Sequence, residues 1–183
     1  LAPAYRKLLN RVLFIGVTGS CGKTTAKEFI YAVMASRSRG QKNEMTLNLN
    51  MNIALSILRT SPREKFLVQE VGVDAPGSID ASLRILRPQV GVVTLIGMDH
   101  YRAFRTPEAT ATEKGKLIAQ LPSSGVAVLN ADDPLVLGMR SLTSARCVTY
   151  GRSPEADVRA EDVHAAWPDR LKFTVRFRDR SMA

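Results

Sequence analysis

The chain has 183 residues, of which 45% are hydrophobic, and a formal net charge of +9 at pH 7. This length suits about one domain, and the apolar fraction is sufficient for a sizeable core. The two cysteines cannot build a disulfide framework, and they favour a reduced, cytoplasmic location. The sequence has no secretory signal and no run of about 18 apolar residues, which excludes a membrane span.

The positive charge is scattered along the chain. Short basic clusters occur only at residues 37–39 and 176–180, with little aromatic interleaving. A basic balance suits polyanionic partners such as nucleotides, sugar nucleotides or nucleic acid. Because the clusters are short, we interpret them as a solvated basic surface, and nucleic acid is disfavoured as a partner.

Short apolar runs alternate with helical patterns. The strands are predicted at 13–17, 66–71, 90–96, 126–130 and 146–150. The helices are predicted at 23–35, 51–58, 79–86 and 107–121. Thr106 and Pro107 are the predicted N-cap and first residue of the last helix. Such alternation predicts an α/β fold, a mostly parallel sheet flanked by helices as in P-loop NTPases, with ligands beyond the carboxyl ends of the strands.

A glycine-rich stretch, residues 16–25, connects the first strand to the first helix. Such a turn presents backbone N–H groups and a helix N-terminus at one point, which favours phosphate binding. Lys23 is predicted to reach the β- and γ-phosphates and the Thr24 hydroxyl to bind Mg²⁺. The predicted nucleotide-binding residues of this phosphate loop are Gly19, Ser20, Cys21, Gly22, Lys23, Thr24 and Thr25. The alternative is a structural turn, and Val17 stands where the common motif has glycine.

The helix after this loop is predicted to bury one apolar face. Its members are Ala26, Phe29, Ile30 and Val33. They follow a helical period and lie on one apolar stripe of the helix.

Two other predicted strands are followed or ended by residues whose side chains are of types that bind metals. Glu70 lies at the carboxyl edge of strand 66–71, where it would hold Mg²⁺ directly or through water; the alternative is an exposed strand-end charge. His100 follows strand 90–96 and is a candidate ligand, against an ordinary surface or core histidine. Its neighbour Asp99 is a candidate metal residue or cap.

Asn130 ends strand 126–130, and Asp132 and Asp133 follow it at the same predicted edge. Such side chains orient a ribose or a magnesium-bound water. They also make the turn before a helix, a role that Asn and Asp fill well. Both interpretations stay open, and Asn130 is retained as a candidate nucleotide-binding residue.

The tail has a different pattern. Residues 151–155 form a polar turn, and residues 171–177 alternate strictly, which predicts a half-buried antiparallel strand. We therefore divide the chain into an α/β core over 11–150 and a small, incomplete β extension over 151–183.

Five blocks together resemble the central, ATP-binding domain of the Mur ligase superfamily. They are residues 16–25, 46–52, 70–72 with 76–79, 99–100, and 113–121 with 129–133. Their order and spacing match across residues 11–150. Mur ligases form amide bonds in peptidoglycan precursors, and relatives make folylpolyglutamate and cyanophycin. The resemblance implies an ATP-dependent ligase with a carboxylate and amine substrate pair, the blocks being most similar to those of a ligase acting on a UDP-muramoyl peptide.

The resemblance also implies residue roles. Lys23 resembles the phosphate-binding lysine, and Thr24 and Glu70 resemble ligands of the Mg²⁺ that bridges the β- and γ-phosphates. His100 resembles a ligand of a second Mg²⁺, and Lys114 resembles the lysine that many members carbamylate so that it contacts that metal. Lys116 is a second candidate for the carbamylated lysine. The alternative for Lys114 is an ordinary solvated lysine on a helix. Residues 48–52 resemble a loop near the incoming substrate.

The chain departs from the family pattern in its extent. The family has three domains, and we expect the UDP-substrate and C-terminal domains to be absent here, so that ligase turnover is weak or lacking. Residues 101–105 also differ from the usual glycine-rich stretch. Three alternatives stay open: another P-loop ATPase or small-molecule kinase, a nucleic-acid-binding module, and a Mur-like ligase of a non-peptidoglycan pathway.

Overall fold

The protein is described by a computed structural model that covers residues 1–44, 50–97, 104–178 and 180–182. The helices are α1 Ala2–Leu8, α2 Lys23–Ala35, α3 Asn50–Arg59, α4 Ser78–Leu86, α5 Pro107–Ala119 and α6 Pro134–Gly138, followed by a 3₁₀ helix, Met139–Leu142. The strands are β1 Leu13–Thr18, β2 Gly40–Lys42, β3 Phe66–Glu70, β4 Val90–Val93, β5 Val126–Asn130, β6 Arg146–Gly151, β7 Val158–His164, β8 Lys172–Phe177 and β9 Arg180–Met182.

The described strands form one sheet in the order β2-β3-β1-β4-β5-β6-β7-β8-β9. Neighbours pair in parallel from β2 through β7, and β7, β8 and β9 pair antiparallel. In the register, Val17 lies opposite Glu70 on β3 and Val92 on β4. The carboxyl ends of three adjacent strands therefore meet at one edge, and the predicted mostly parallel α/β fold is confirmed.

Both faces of the central strands are buried. Phe14 and Leu67 belong to the larger core cluster, whereas Ile15, Val17 and Val68 belong to a second cluster on the opposite face. Successive side chains of a strand point to opposite faces, so a strand buried on both faces is apolar throughout. This explains the continuous apolar runs that predicted these strands.

Only two of the four residues on the predicted apolar face of α2 pack against the sheet. Ala26 and Ile30 pack against the sheet, but Phe29 and Val33 are 69% and 70% exposed. The helix is rotated toward the edge strand β2, where Lys27 donates a hydrogen bond to the Asn43 carbonyl at 3.1 Å. That rotation moves Phe29 and Val33 away from the sheet.

Strand β4 ends three residues before its predicted end. Beyond it, the Leu95 carbonyl accepts a hydrogen bond from the Ser20 N–H at 2.6 Å, and the Ile96 N–H donates to Asp133 Oδ2 at 2.7 Å. The apolar run thus continues as a segment that contacts the phosphate loop and not as a strand.

The tail adds β7, β8 and β9 at one side of the sheet. The antiparallel pairing of β8 is confirmed, but its prediction as half-buried was wrong, since Phe173 and Phe177 are exposed and none of the described residues after Thr149 is buried. The hairpin extends the sheet beyond the part of it that the two core clusters cover. Among the described residues, no helix has the length and apolar character needed to span a membrane.

Candidate nucleotide-binding site

The phosphate loop lies between β1 and α2 and depends on glycine at two points. Gly19 has φ +143° and Gly22, the N-cap of α2, has φ +80°. L side chains rarely adopt either conformation. A Cβ at Gly19 would also overlap the Thr94 hydroxyl. The sequence places these glycines where the backbone has to turn tightly in front of a helix N-terminus.

Two lysines converge on this loop. Lys23 Nζ donates to the carbonyl oxygens of Gly19 at 2.8 Å and Ser20 at 3.2 Å. Lys114 Nζ, from α5, donates to the same Gly19 carbonyl at 2.9 Å, and its residue is 2% exposed. Two ammonium groups therefore meet at one carbonyl, which gives this part of the loop a strongly positive environment suited to an anion.

Thr24 and Glu70 also come together. Thr24 Oγ1 donates to Glu70 Oε2 at 2.9 Å, and Glu70 is 1% exposed. The Glu70 N–H donates to Asn43 Oδ1 at 2.8 Å, which fixes the end of β3. Hydroxyl and carboxylate oxygens are ligands that Mg²⁺ accepts, with phosphate oxygens and water completing its shell.

The described residues contain no group of three or more His, Cys, Asp and Glu side chains that would hold a metal without help from a ligand. At this position Thr24 and Glu70 would supply two oxygens to a magnesium ion, and water and phosphate oxygens would supply others. Ligation by substrate phosphates is usual for Mg²⁺ sites.

Lys114 and Lys116 have different surroundings. Lys116 Nζ contacts Asp80 Oδ2 at 2.8 Å and Glu113 Oε2 at 2.9 Å, and hydrogen bonds to Asp80 and then Glu113 raise its pKa. Asp80 lies in the first turn of α4. Lys116 thus joins α5 to α4, and Lys114 is the one of the two that contacts the phosphate loop.

Asn130, the last residue of β5, contacts the segment after β4, and it also contacts the turn that follows β5. Asn130 Nδ2 donates to the Thr94 carbonyl at 2.8 Å, while its Oδ1 accepts from the Asp132 N–H at 2.9 Å. Asp133 caps α6 by accepting from the N–H groups of Leu135 and Val136. These contacts belong to the turn interpretation, and a ribose contact of Asn130 stays a prediction.

Tyr150 lies behind this turn. Burial, with the nearby charges of Asp132 and Asp133, raises the pKa of Tyr150 to about 12, so the phenol is neutral at physiological pH. Its hydroxyl lies 3.4 Å from the Thr94 carbonyl.

Several predicted residues lie outside the described part of the chain. They are Asp99, His100 and residues 48 and 49 of the 48–52 segment. The second magnesium ligand and the substrate loop therefore stay predictions.

Sequence reasoning missed two residues of this edge. Thr94, at 9% exposure, follows β4 directly, and its Oγ1 donates to the Cys21 carbonyl at 2.6 Å. Asn43 follows β2, a strand that was not predicted. Thr94 is the one polar side chain inside the predicted strand 90–96, which was the available signal for it. The three residues of β2 gave no signal.

Comparisons with known proteins agree with this geometry. A family model described as the Mur ligase middle domain matches residues 17–181. UDP-N-acetylmuramoyl-tripeptide–D-alanyl-D-alanine ligase of Bacillus subtilis is 35% identical over 177 residues, covering 96% of this chain and 37% of that enzyme. Its counterpart in Mycobacterium tuberculosis is 34% identical, covering 97% of this chain and 35% of that enzyme. The chain thus spans about a third of the length of these relatives.

Solved structures are similar in fold. MurF from Acinetobacter baumannii superposes with a TM-score of 0.92 at 22% identity, covering 100% of this chain and 40% of that one. MurF ligase from Thermotoga maritima, solved in complex with ADP, has a TM-score of 0.86 at 27% identity, covering 99% and 42%. A protein with this architecture therefore holds an adenine nucleotide.

Proposed function

Because the chain belongs to the Mur ligase middle-domain family, we propose that it is the ATP-binding domain of an ATP-dependent amide ligase that acts on peptidoglycan precursors. The observation that carries the proposal is the convergence at the phosphate loop. Lys23 and Lys114 meet at the Gly19 carbonyl, and Thr24 contacts Glu70. An ATP phosphate chain needs these groups: cations, N–H donors and oxygens for Mg²⁺.

In this proposal the loop binds the triphosphate. Lys23 exchanges the carbonyls of Gly19 and Ser20 for phosphate oxygens. Carbamylation of the buried Lys114, as the family resemblance implies, would turn its ammonium group into an anion that contacts the second Mg²⁺, so Lys23 is the lysine that binds the phosphates. Thr24 and Glu70 would hold Mg²⁺, which would neutralise part of the phosphate charge. His100, with a second Mg²⁺, and Asn130, at the nucleotide, complete the proposed site.

The proposed reaction joins an acid to an amine. A carboxylate oxygen of the acid attacks the γ-phosphorus, the bond to the β,γ-bridging oxygen breaks, and ADP leaves. The amine nitrogen then attacks the acyl phosphate carbonyl, loses a proton, and phosphate leaves. By analogy with the named relatives, the acid is a UDP-N-acetylmuramoyl-tripeptide and the amine is D-alanyl-D-alanine. We also infer a cytoplasmic location, because ATP is available there.

The test is ADP release by the enzyme that contains this chain. We expect release only when the UDP-muramoyl-tripeptide and D-alanyl-D-alanine are both present. A Lys23→Met variant should lose at least about 10²-fold in rate, since it lacks one preorganised partner of the transferring phosphoryl group. Lys65→Met, an exposed lysine before β3, is the matched control.

Two results would reject the ligase. One is ADP release with water or a hydroxyl acceptor alone, which is the behaviour of an ATPase or a kinase. The other is a Lys23→Met variant as active as the Lys65→Met control.

A further inference from the structure

The segment that follows β4 is hydrogen-bonded to the phosphate loop. The Thr94 N–H donates to the Thr18 carbonyl at 3.0 Å, and Thr94 Oγ1 donates to the Cys21 carbonyl at 2.6 Å. One turn further, Ser20 Oγ donates to the Gly97 carbonyl at 3.2 Å. The loop is therefore attached to the neighbouring strand on both sides of Gly19, by a residue outside the glycine-rich motif.

These contacts fix the orientation of two peptide planes. In a trans peptide the C=O and the following N–H point in opposite directions. Since Thr94 holds the carbonyls of Thr18 and Cys21, the N–H groups of Gly19 and Gly22 point away from Thr94. N–H groups oriented together in this way form an anion-binding concavity.

The second of these planes needs an external constraint. Gly22 has φ +80°, and a glycine adopts other conformations at little cost. A rotation of the Cys21–Gly22 peptide would present a carbonyl oxygen to a phosphate and repel it. The Thr94 hydroxyl opposes that rotation, because it binds the Cys21 carbonyl in the first orientation only.

We propose that Thr94 is a positioning residue for phosphate binding: its hydroxyl orients the Cys21–Gly22 peptide so that the loop N–H groups face the nucleotide phosphates. The proposal rests on the function proposed above. It assigns a role to the residue directly after β4, which acts through the backbone of the phosphate loop. It also explains the requirement for glycine at position 19, because a Cβ there would overlap the Thr94 hydroxyl.

The test compares two variants that differ only in the hydroxyl. Thr94→Ser keeps it and Thr94→Ala removes it. ADP dissociation constants are measured by titration calorimetry on the full chain, and the free energy of unfolding is measured in urea without nucleotide. We expect Thr94→Ala to bind ADP about threefold to tenfold more weakly than Thr94→Ser, the effect of one lost hydrogen bond. Thr94→Ser should lie close to the parent.

Adenosine serves as a second probe, because it has no phosphate to meet the loop. Its affinity should be the same in the two variants. A purely structural Thr94 would lower the free energy of unfolding and leave the ADP affinity of the folded protein unchanged, and that result overturns the inference. If Thr94→Ala does not fold, Thr94→Val, which retains the volume, takes its place against Thr94→Ser.

The two proposals fail differently. If the parent chain binds no ADP, the nucleotide site itself is rejected and Thr94 loses its role with it. If the parent binds ADP and Thr94→Ala binds it equally well, only the positioning role is rejected.

Discussion

Buried charged side chains at the carboxyl edge of the sheet each make at least one hydrogen bond. Lys27 is fully buried and donates to the Asn43 carbonyl, Lys114 donates to the Gly19 carbonyl, and Glu70 accepts from Thr24. A buried charge without partners costs several kcal/mol. These contacts therefore hold the charges in place without a ligand, and a nucleotide exchanges one set of polar partners for another.

A carboxylate in the turn before β7 makes stability depend on pH. Asp157 Oδ2 accepts from the Thr149 N–H at 2.8 Å and from Thr149 Oγ1 at 2.9 Å. These hydrogen bonds lower the pKa of Asp157 in the folded state, and the one from the Thr149 backbone N–H has the larger effect. A lowered folded pKa stabilises the protein above the unfolded value, about 3.9. That stabilisation is lost as the pH falls through the folded value.

We predict that the Asp157→Asn variant unfolds at a lower urea concentration than the parent at pH 7. The difference between their unfolding midpoints should shrink as the pH falls below about 4. Urea unfolding between pH 7 and pH 3 measures it. Glu155→Gln, an exposed neighbour, should follow the parent at every pH. A difference that stays constant down to pH 3 would contradict the prediction.

At the scale of elements, α1 is attached to α4 through one arginine. Arg6 Nε donates to the Leu86 carbonyl at 2.9 Å and an Nη donates to the Arg87 carbonyl at 2.9 Å, at the C-terminal end of α4. The guanidinium lies 3.5 Å from the centroid of the Phe14 ring. Burial, with the charge of Arg87, lowers the pKa of Arg6 to about 10, so the group stays protonated at neutral pH.

We expect Arg6→Met to lower the free energy of unfolding by about 2 kcal/mol or more, since hydrogen bonds to charged groups contribute about 1.5–3 kcal/mol and two carbonyls lose their donor. Urea titration at pH 7 measures the change. Lys7→Met, on the exposed side of the same helix, should change it by less than about 0.5 kcal/mol. Equal effects of the two substitutions would show that α1 is attached in another way.

The same elements show what sequence could predict. The cap of α5 is confirmed, since Thr106 Oγ1 accepts from the Ala109 N–H at 3.2 Å and Pro107 begins the helix. Local chemistry determines such a boundary. In contrast, α1 is a seven-residue helix held by Arg6, and β2 is a three-residue strand held by backbone pairing with β3. Neither has an apolar period, because tertiary contacts stabilise them.

Some residues of the candidate site could likewise be predicted from the sequence, and others could not. Lys23 and Thr24 lie in a contiguous motif, and Glu70 follows from the rule that strand ends meet at one edge. Thr94 and Asn43 were missed because their roles arise from hydrogen bonds between neighbouring strands. A sequence read along one chain does not contain that register.

For the whole molecule, the strand order explains why one edge gathers the site. β1 lies between β3 and β4, and the chain passes first to the β3 side and then to the β4 side. The loop after β1 therefore has a neighbour on each side, with Glu70 at the end of β3 and Thr94 directly after β4. Ligands bind at such a switch point in open parallel sheets.

The same view separates the α/β core from the tail hairpin. Both core clusters lie within the residues up to Cys147, and no described residue after Thr149 is buried.

We predict that a chain of residues 1–157, which retains Asp157 but lacks β7, β8 and β9, stays folded. It should melt within about 4 °C of the parent, because it loses little buried apolar surface. It should also bind ADP with unchanged affinity, since every described site residue is retained. Thermal unfolding and calorimetry measure both quantities. A chain of residues 1–145, which also lacks β6, is the control expected to unfold, because β5 then loses one of its two parallel partners and becomes an edge strand. Loss of ADP binding in the 1–157 chain would mean that the hairpin supports the site, and the division of the molecule argued here would be wrong.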